Sequence, residues 1–236
     1  MKKILKILVV FAFIITTSNM FSVEAAASKV GELTIFAAND GSSSSLSTSG
    51  HAFISFKNTS GSNITVGGLS VKNTHEITIG TWGNKSQHKG IWYNLESYFV
   101  NNVSAYSNRV SLTTNVTQAN IDTINSLISS NDKWSATNNC SSFATKIWNS
   151  VSSTTLSAGT PNTPTALMKS IKSKSGYSTK KSIQNISPIG YVSGGKFYTV
   201  SSSDISRSLL FSDLIETAEG GEDFLIGVDM NPNSMY

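Results

Sequence analysis

One cysteine and three histidines are the side chains of this 236-residue chain whose types could support nucleophilic catalysis. The cysteine is Cys140, and the histidines are His51, His75 and His88. A thiol is a strong nucleophile only as the thiolate, and a free cysteine has a pKa of about 8.5. Its surroundings must therefore lower that pKa, which a helix N-terminus and a neighbouring histidine can both do.

The residues around Cys140 predict that it lies in the first turn of a helix. Asn138 or Asn139 is placed to cap that helix, since asparagine is a favoured N-cap residue. Apolar residues then recur at intervals of three and four, at Phe143, Ala144, Ile147, Trp148 and Val151. Because backbone N–H groups at a helix N-terminus have no intrahelical partner, we expect the backbone N–H of Cys140 to be an oxyanion donor.

His51 is the favoured partner for Cys140 because it begins a predicted strand, 51–57, directly after Gly50. Glycine leaves room there for an imidazole to face a cleft. His51 precedes Cys140 by 89 residues, so only the fold can bring the two together. Neither His75 nor His88 begins a strand directly after a glycine, as His51 does, and we expect both at the surface.

The elements that must position these residues change character along the chain. Alternating apolar residues and turn signals predict strands in the first half, at 32–38, 51–57, 64–71, 75–82 and 109–116. Helical periodicity dominates the second half. Thr117 is placed to cap a helix over 118–129, and Thr163 and Pro164 begin another helix that Gly176 follows. Residues 182–200 return to strand and turn signals.

The N-terminal residues 1–27 have the pattern of a secretory signal peptide, with lysines before a short apolar run and small residues after it. Cleavage is expected after Ala25 or Ala27, and the apolar run is shorter than the roughly 20 residues of a membrane anchor. These features predict a secreted protein without a membrane span and favour a bacterial source. The mature part is predicted to be one domain, 28–200, followed by a C-terminal appendage, 201–236.

The net charge and the single cysteine limit the possible partners and the possible roles of the thiol. Removal of three lysines and one glutamate with the signal peptide lowers the formal net charge from +4 to +2, which disfavours nucleic acid as a partner. A single cysteine cannot pair within its own chain, so in an oxidising compartment the thiol is either buried or exposed for chemistry. The spacing of cysteine and histidine predicts no metal site, and no phosphate-binding loop or other cofactor motif occurs.

Two short stretches resemble a known superfamily. "GHAFISF" at 50–56, followed by "NNCSSFATKIW" at 138–148, is similar to the circularly permuted branch of the papain-like superfamily, which is related to NlpC-type cell-wall peptidases and lecithin:retinol acyltransferase. In this branch the histidine strand precedes the cysteine helix, and the resemblance covers roughly residues 30–175. It implies an α+β fold in which a small antiparallel sheet packs against helices.

The resemblance also implies roles for particular residues. Cys140 would be the nucleophile and His51 the general base. A third polar residue on the strand after the histidine strand would orient the imidazole. The spacing selects none of the candidates His75, Thr81, Asn84 and His88.

The predicted function is that of a secreted cysteine hydrolase, an amidase or peptidase with acyl transfer as a variant, acting on peptide amides such as those of the cell wall. A non-catalytic extracellular binding or adhesion module on the same fold is the alternative. A binding module could use aromatic residues to line a sugar-binding groove, and the candidates are Trp82, Trp92, Tyr93 and Trp134. Core packing is, however, the more frequent use of large aromatic residues.

Overall fold

The computed structural model describes residues 27–39, 50–82, 90–135, 137–193 and 196–205. Nearly all of the predicted signal peptide and most of the predicted appendage therefore lie outside the described residues, as do Asn84 and His88. Residues 202–205 are helical, and Ile205 is buried, so the packed body extends past residue 200. Within the described part of the chain, no helix has the length and apolar character needed to cross a membrane.

Ten strands form within the described residues. In chain order they are β1 (Lys29–Ala38), β2 (His51–Asn58), β3 (Ile64–Val66), β4 (Leu69–Val71), β5 (Glu76–Thr81), β6 (Ile91–Tyr93), β7 (Val110–Thr117), β8 (Ser178–Thr179), β9 (Ile189–Ser193) and β10 (Lys196–Val200). Eight of them form one sheet in the order β10-β9-β6-β5-β2-β1-β7-β8, and β3 pairs with β4 alone. Neighbouring strands are antiparallel throughout.

Four helices of eight or more residues accompany the strands in the described chain: α1 (Leu95–Asn102), α2 (Gln118–Ser130), α3 (Cys140–Val151) and α4 (Pro164–Lys172). An antiparallel sheet packed against helices confirms the predicted α+β class, although the sheet is larger than expected. The last three helices begin where the sequence predicted, with Thr117, Asn139 and Thr163 as their N-caps.

The end of α4 differs from the prediction. The helix ends at Lys172, and Gly176, with φ of 80°, lies in the turn that follows. Ile171 is the last buried apolar residue of the helix, and Lys172 and Ser173 after it are exposed. Apolar burial therefore sets the end of this helix, because the stability of a short helix comes mainly from packing its apolar face.

The side chains of β2 point alternately to the two faces of the sheet, and each face packs against a different layer of the protein. Ala52, Ile54 and Phe56 point into the main core, where they pack with the apolar residues of α2, α3 and α4. Phe53 points to the opposite face and packs with Phe36 of β1. Since successive side chains of a strand point to opposite faces, His51 shares the second face with Phe53.

β2 and β5 pair along only part of their length. The ladder runs from Lys57↔Glu76 to Ile54↔Ile79, and β2 then continues to its first residue, His51, with no strand partner on that side among the described residues. β5 continues beside β6 instead, as far as Thr81↔Ile91. The two strands therefore separate at the start of β2, and side chains from both layers can meet in the opening.

α1 and β6 were not predicted from the sequence. α1 has only eight residues, and its N-cap Asn94 has a left-handed backbone with φ of 61° and no side-chain capping bond. Instead, the Asn94 side chain accepts from the backbone N–H of Thr78 at 3.2 Å and donates to the Pro188 carbonyl at 2.8 Å. The backbone N–H of Asn94 donates to the Thr78 carbonyl at 2.9 Å. These bonds attach the start of α1 to β5.

Replacement of Asn94 by alanine should destabilise the protein by about 3 kcal/mol, because it places an alanine in the left-handed region and leaves buried polar groups unpaired. Asn94→Gly is the matched control, since glycine tolerates this backbone and should recover about 1 kcal/mol of the loss. Urea unfolding would measure both variants. Equal losses would show that the left-handed backbone contributes nothing to the effect.

Candidate active site

The N-terminus of α3 meets the start of β2 at the opening between β2 and β5. Cys140 is the first residue of α3 and is partly exposed, whereas His51 is the first residue of β2 and only 5% exposed. The Cys140 sulfur lies within hydrogen-bonding reach of the His51 imidazole and of the backbone N–H of Ala52. The structure thus brings together the two residues that the sequence paired.

The N-cap of α3 leaves one donor available beside the sulfur. The Asn139 side chain accepts from the backbone N–H groups of Ser141 at 3.1 Å and Ser142 at 3.0 Å, and it donates to the Asn162 carbonyl at 2.9 Å. In the described part of the chain, the backbone N–H of Cys140 itself donates no hydrogen bond. It is therefore free to bind a developing oxyanion at the nucleophile, the role predicted for it.

Gly50 sets the position from which His51 enters the sheet. Its φ is 98°, a backbone conformation that other residues rarely adopt, and a Cβ atom on it would lie 2.3 Å from the Ala38 carbonyl oxygen. Ala38 is the residue that pairs with His51 in the β1–β2 ladder. A side chain at position 50 would therefore separate β1 from β2 beside the imidazole.

A buried glutamate on α1 occupies the third position of the site. Glu96 is fully buried, and its Oε1 lies 3.1 Å from Nε2 of His51. The Trp82 indole donates its Nε1–H to the same oxygen at 2.9 Å. Because Nε2 is engaged by the carboxylate, Nδ1 is the ring nitrogen left for the Cys140 sulfur.

Gly80 on β5 provides the space for this carboxylate. A Cβ atom at position 80 would lie 1.9 Å from Oε1 of Glu96 and 3.1 Å from Nε2 of His51. The backbone of Gly80 does not have a positive φ, so space and not conformation requires glycine here. Any larger residue would displace the carboxylate or the imidazole.

The surroundings favour the charged forms of both Cys140 and His51. Burial by itself lowers the pKa of His51, but hydrogen bonding with Cys140 and Glu96 outweighs burial and raises this pKa to about 9. Burial by itself raises the pKa of Cys140, but hydrogen bonding to His51 outweighs it and holds this pKa below the ordinary thiol value. The pair is therefore a thiolate and an imidazolium over a range of pH that ends near 9.

Three aromatic rings contact the imidazole of His51, and one of them is Phe53 of the same strand, with ring centroids 5.9 Å apart. The Trp82 ring centroid lies 4.2 Å away, and the Tyr106 ring centroid lies 5.6 Å away. Trp92 and Tyr93 are completely or almost completely buried, which agrees with core packing and not with a sugar-binding groove. Trp82 and Trp134 are half-buried, and Trp82 belongs to the site itself.

His75 does not belong to the site, which corrects one of the candidates for the third residue. The His75 carbonyl accepts from the backbone N–H of Asn58, the last residue of β2. His51 is the first residue of that strand, so the two histidines are separated by roughly 23 Å at the usual rise of a strand. Thr81 is buried on β5 and makes no hydrogen bond with His51 in the described chain.

Sequence reasoning missed Glu96 because it missed α1. The resemblance places the third residue on the strand after the histidine strand, whereas Glu96 lies on α1, which follows β6. A signal was present in "NLESYFVNN", where the buried residues Leu95, Tyr98 and Phe99 recur at three and four and a glutamate lies in the first turn. The pattern is short, and a left-handed asparagine is an unusual helix start.

Comparisons of the chain with protein-family models, with curated proteins and with solved structures found no match. The permuted papain-like fold therefore remains a proposal, and it rests on chain order and on the geometry of this site.

His51→Gln should raise the pKa of Cys140 towards the ordinary thiol value of about 8.5, because the imidazolium that stabilises the thiolate is lost. Titration of the thiolate absorbance near 240 nm, with Cys140→Ser as the blank, would measure the shift. His75→Gln is the matched control and should leave the midpoint unchanged. An unchanged midpoint in His51→Gln would contradict the ion pair.

Gly80→Ala should destabilise the protein by about 1 to 3 kcal/mol through overpacking against the Glu96 carboxylate. The same substitution should cost at least about 1 kcal/mol less in a Glu96→Ala background, where the contacting oxygen is absent. Urea unfolding of the wild type, both single variants and the double variant completes the cycle. Equal costs in the two backgrounds would show that Gly80 does not make room for Glu96.

Proposed function

We propose that this protein is a secreted thiol hydrolase that cleaves amide or ester bonds with Cys140 as nucleophile, His51 as proton carrier and Glu96 as the residue that orients His51. The observation that carries the proposal is the position of the His51 ring. One of its nitrogens contacts a fully buried carboxylate, and the Cys140 sulfur lies within hydrogen-bonding reach of the ring. Nucleophile, base and orienting group in series are the arrangement that activates a nucleophile in acyl transfer.

In the first half of the reaction, the Cys140 thiolate attacks the carbonyl carbon of the substrate and forms a tetrahedral intermediate. The negative oxygen of this intermediate can accept from the backbone N–H of Cys140 at the N-terminus of α3, where the helix dipole also favours negative charge. The His51 imidazolium then donates its proton to the leaving amine or alcohol. The bond to the leaving group breaks, and a thioester between the acyl group and Cys140 remains.

In the second half, the now neutral His51 accepts a proton from a water molecule as the water attacks the thioester. The acyl group leaves as the carboxylic acid, and the Cys140 thiolate and the His51 imidazolium are restored. An amine in place of water would give acyl transfer by the same steps. The two half-reactions need His51 in opposite protonation states, which general acid–base catalysis by a single imidazole permits.

Glu96 contributes to both halves through His51. Its Oε1 engages Nε2 of the ring, which leaves Nδ1 for the sulfur, and its charge favours the imidazolium that forms the ion pair. The Trp82 indole, which is itself half-buried, donates to the same oxygen. A buried carboxylate needs such partners, because burial of an unpaired charge is costly.

The proposed fold is that of the permuted papain-like branch, with the histidine at the start of a central strand and the cysteine at the start of a later helix. The order β2 then α3, and the packing of α3 on β2 beside the site, support this proposal. The proposed substrates are peptide amides of the bacterial cell wall. The signal-peptide pattern of residues 1–27 supports an extracellular location, where such amides are abundant.

Purified peptidoglycan should be cleaved by the wild-type protein, with new amino and carboxyl termini detected by mass spectrometry of the soluble fragments. Cys140→Ala should abolish cleavage, and His51→Gln should reduce the rate by at least about 100-fold. The rate should fall as pH rises through about 9, because His51 then loses the proton that the leaving group requires.

His75→Gln is the control and should cleave at the wild-type rate. If the wild type binds peptidoglycan as tightly as Cys140→Ala does and neither releases fragments, the protein is a binding module for this polymer and the hydrolase proposal fails there. Cleavage of a panel of peptide amides and carboxylic esters, with the acyl group trapped on Cys140 and detected by mass, tests the wider acyl-transfer chemistry. Absence of Cys140-dependent turnover on the whole panel would overturn it.

A further inference from the structure

Tyr106 is an aromatic contact of His51 to which the proposed mechanism gives no role. It lies in the loop between α1 and β7, and its ring is stacked on the imidazole with centroids 5.6 Å apart and planes 28° apart. The same ring contacts Phe53 at 5.9 Å and Phe99 at 6.5 Å. Phe53 belongs to β2, the strand of His51, and Phe99 belongs to α1, the helix of Glu96. Tyr106 therefore packs against the two elements that carry His51 and Glu96.

The backbone of this loop adopts conformations that are unfavourable for its residues. Tyr106 has φ of 55° and Ser104 has φ of 57°, in the left-handed region where bulky side chains are rare. Such conformations persist only where surrounding contacts impose them, and they occur often at functional sites. Contacts with the rest of the protein must therefore impose this backbone conformation on the loop.

Arg109 supplies the contacts that hold it. This residue is only 9% exposed, and its backbone N–H and Nη1 donate to the Tyr106 carbonyl at 3.0 and 3.3 Å. Its Nε and Nη2 donate to the Lys181 carbonyl at 3.0 and 2.8 Å. The guanidinium thus ties the loop to the segment before β9 and fixes the ring of Tyr106 against His51.

A stacked phenol ring favours the charged form of an imidazole. The π face of an aromatic ring is negative, and a cation within about 6 Å of the ring centroid is attracted to it. Burial, and then the charges of Glu96 and Cys140, raise the pKa of Tyr106 well above its ordinary value, so the phenol stays neutral. The ring can therefore stabilise an imidazolium without adding a charge of its own.

We propose that Tyr106 is a positioning residue that keeps His51 protonated by presenting its ring face to the imidazolium. The inference deepens the proposed function, because that function needs the imidazolium both to stabilise the Cys140 thiolate and to protonate the leaving group. The charged groups that face His51 are Cys140 from α3 and Glu96 from α1, and the other rings in contact are Trp82, after β5, and Phe53 on β2. Tyr106 adds to these two charges a contribution that carries no net charge.

The test is the pKa of His51, measured by NMR on protein labelled with ¹³C in its histidines. The chain has three histidines, so His75→Gln and His88→Gln variants identify the His51 signal. Tyr106→Phe keeps the ring face and should leave the pKa near 9. Tyr106→Met fills a similar volume without a ring and should lower the pKa by roughly 0.5 to 1 unit.

A second pair of variants avoids any dependence on how well Tyr106→Met folds. Phenylalanine and trifluorophenylalanine at position 106 have nearly the same shape, but fluorine withdraws charge from the ring face. The pKa of His51 should be lower with the fluorinated ring. An equal pKa with both rings would overturn the proposal, and so would a fall in Tyr106→Phe as large as that in Tyr106→Met, which would assign the effect to the hydroxyl.

This measurement needs no substrate, so it separates the two proposals. A His51 pKa that does not respond to the ring at position 106 refutes the role of Tyr106 and leaves the hydrolase proposal standing. Absence of Cys140-dependent turnover refutes the hydrolase and leaves the ring contribution measurable. In an active wild type, the fall in rate near pH 9 should move to lower pH in Tyr106→Met and stay in place in Tyr106→Phe.

Discussion

The contact between the Glu96 carboxylate and the His51 imidazole is the interaction on which the site depends. Both side chains are buried, and a buried carboxylate is stable only with partners that compensate its lost hydration. The imidazolium and the Trp82 indole are those partners. The same contact turns the other ring nitrogen towards Cys140 and raises the pKa of His51, so orientation and charge have a common cause.

The fold makes room for this contact at one place, where β2 and β5 separate. Three elements converge there: the start of β2 with His51, the first turn of α1 with Glu96, and the first turn of α3 with Cys140. α3 packs on one layer of the sheet, whereas His51 shares the other layer with Phe53. The opening at the end of the β2–β5 ladder lets groups from the two faces of the sheet meet. Gly80 has no side chain that would occupy the space of the Glu96 carboxylate.

Local patterns predicted the parts of this arrangement that are local in origin. Alternation placed His51 at the start of a two-faced strand, and the N-cap with helical spacing placed Cys140 in a first turn. Glu96 could not be found in the same way. Its helix is short, begins at a left-handed Asn94, and is held by hydrogen bonds to β5 and to Pro188 rather than by its own pattern. His75 failed as a candidate for a related reason, since proximity in sequence to a strand does not say at which end of that strand a residue lies.

The sequence by itself determined the α+β class, three helices with their caps, the two faces of β2, and the chemical identity of a thiol with a histidine partner. These follow from period, capping residues and side-chain chemistry, which act over a few residues. Tertiary structure decided which acid completes the site, which glycine makes room for it and which rings surround the imidazole. Those choices depend on contacts between residues far apart in the chain, and such contacts exist only once the β2–β5 ladder ends where it does and α1 docks on β5.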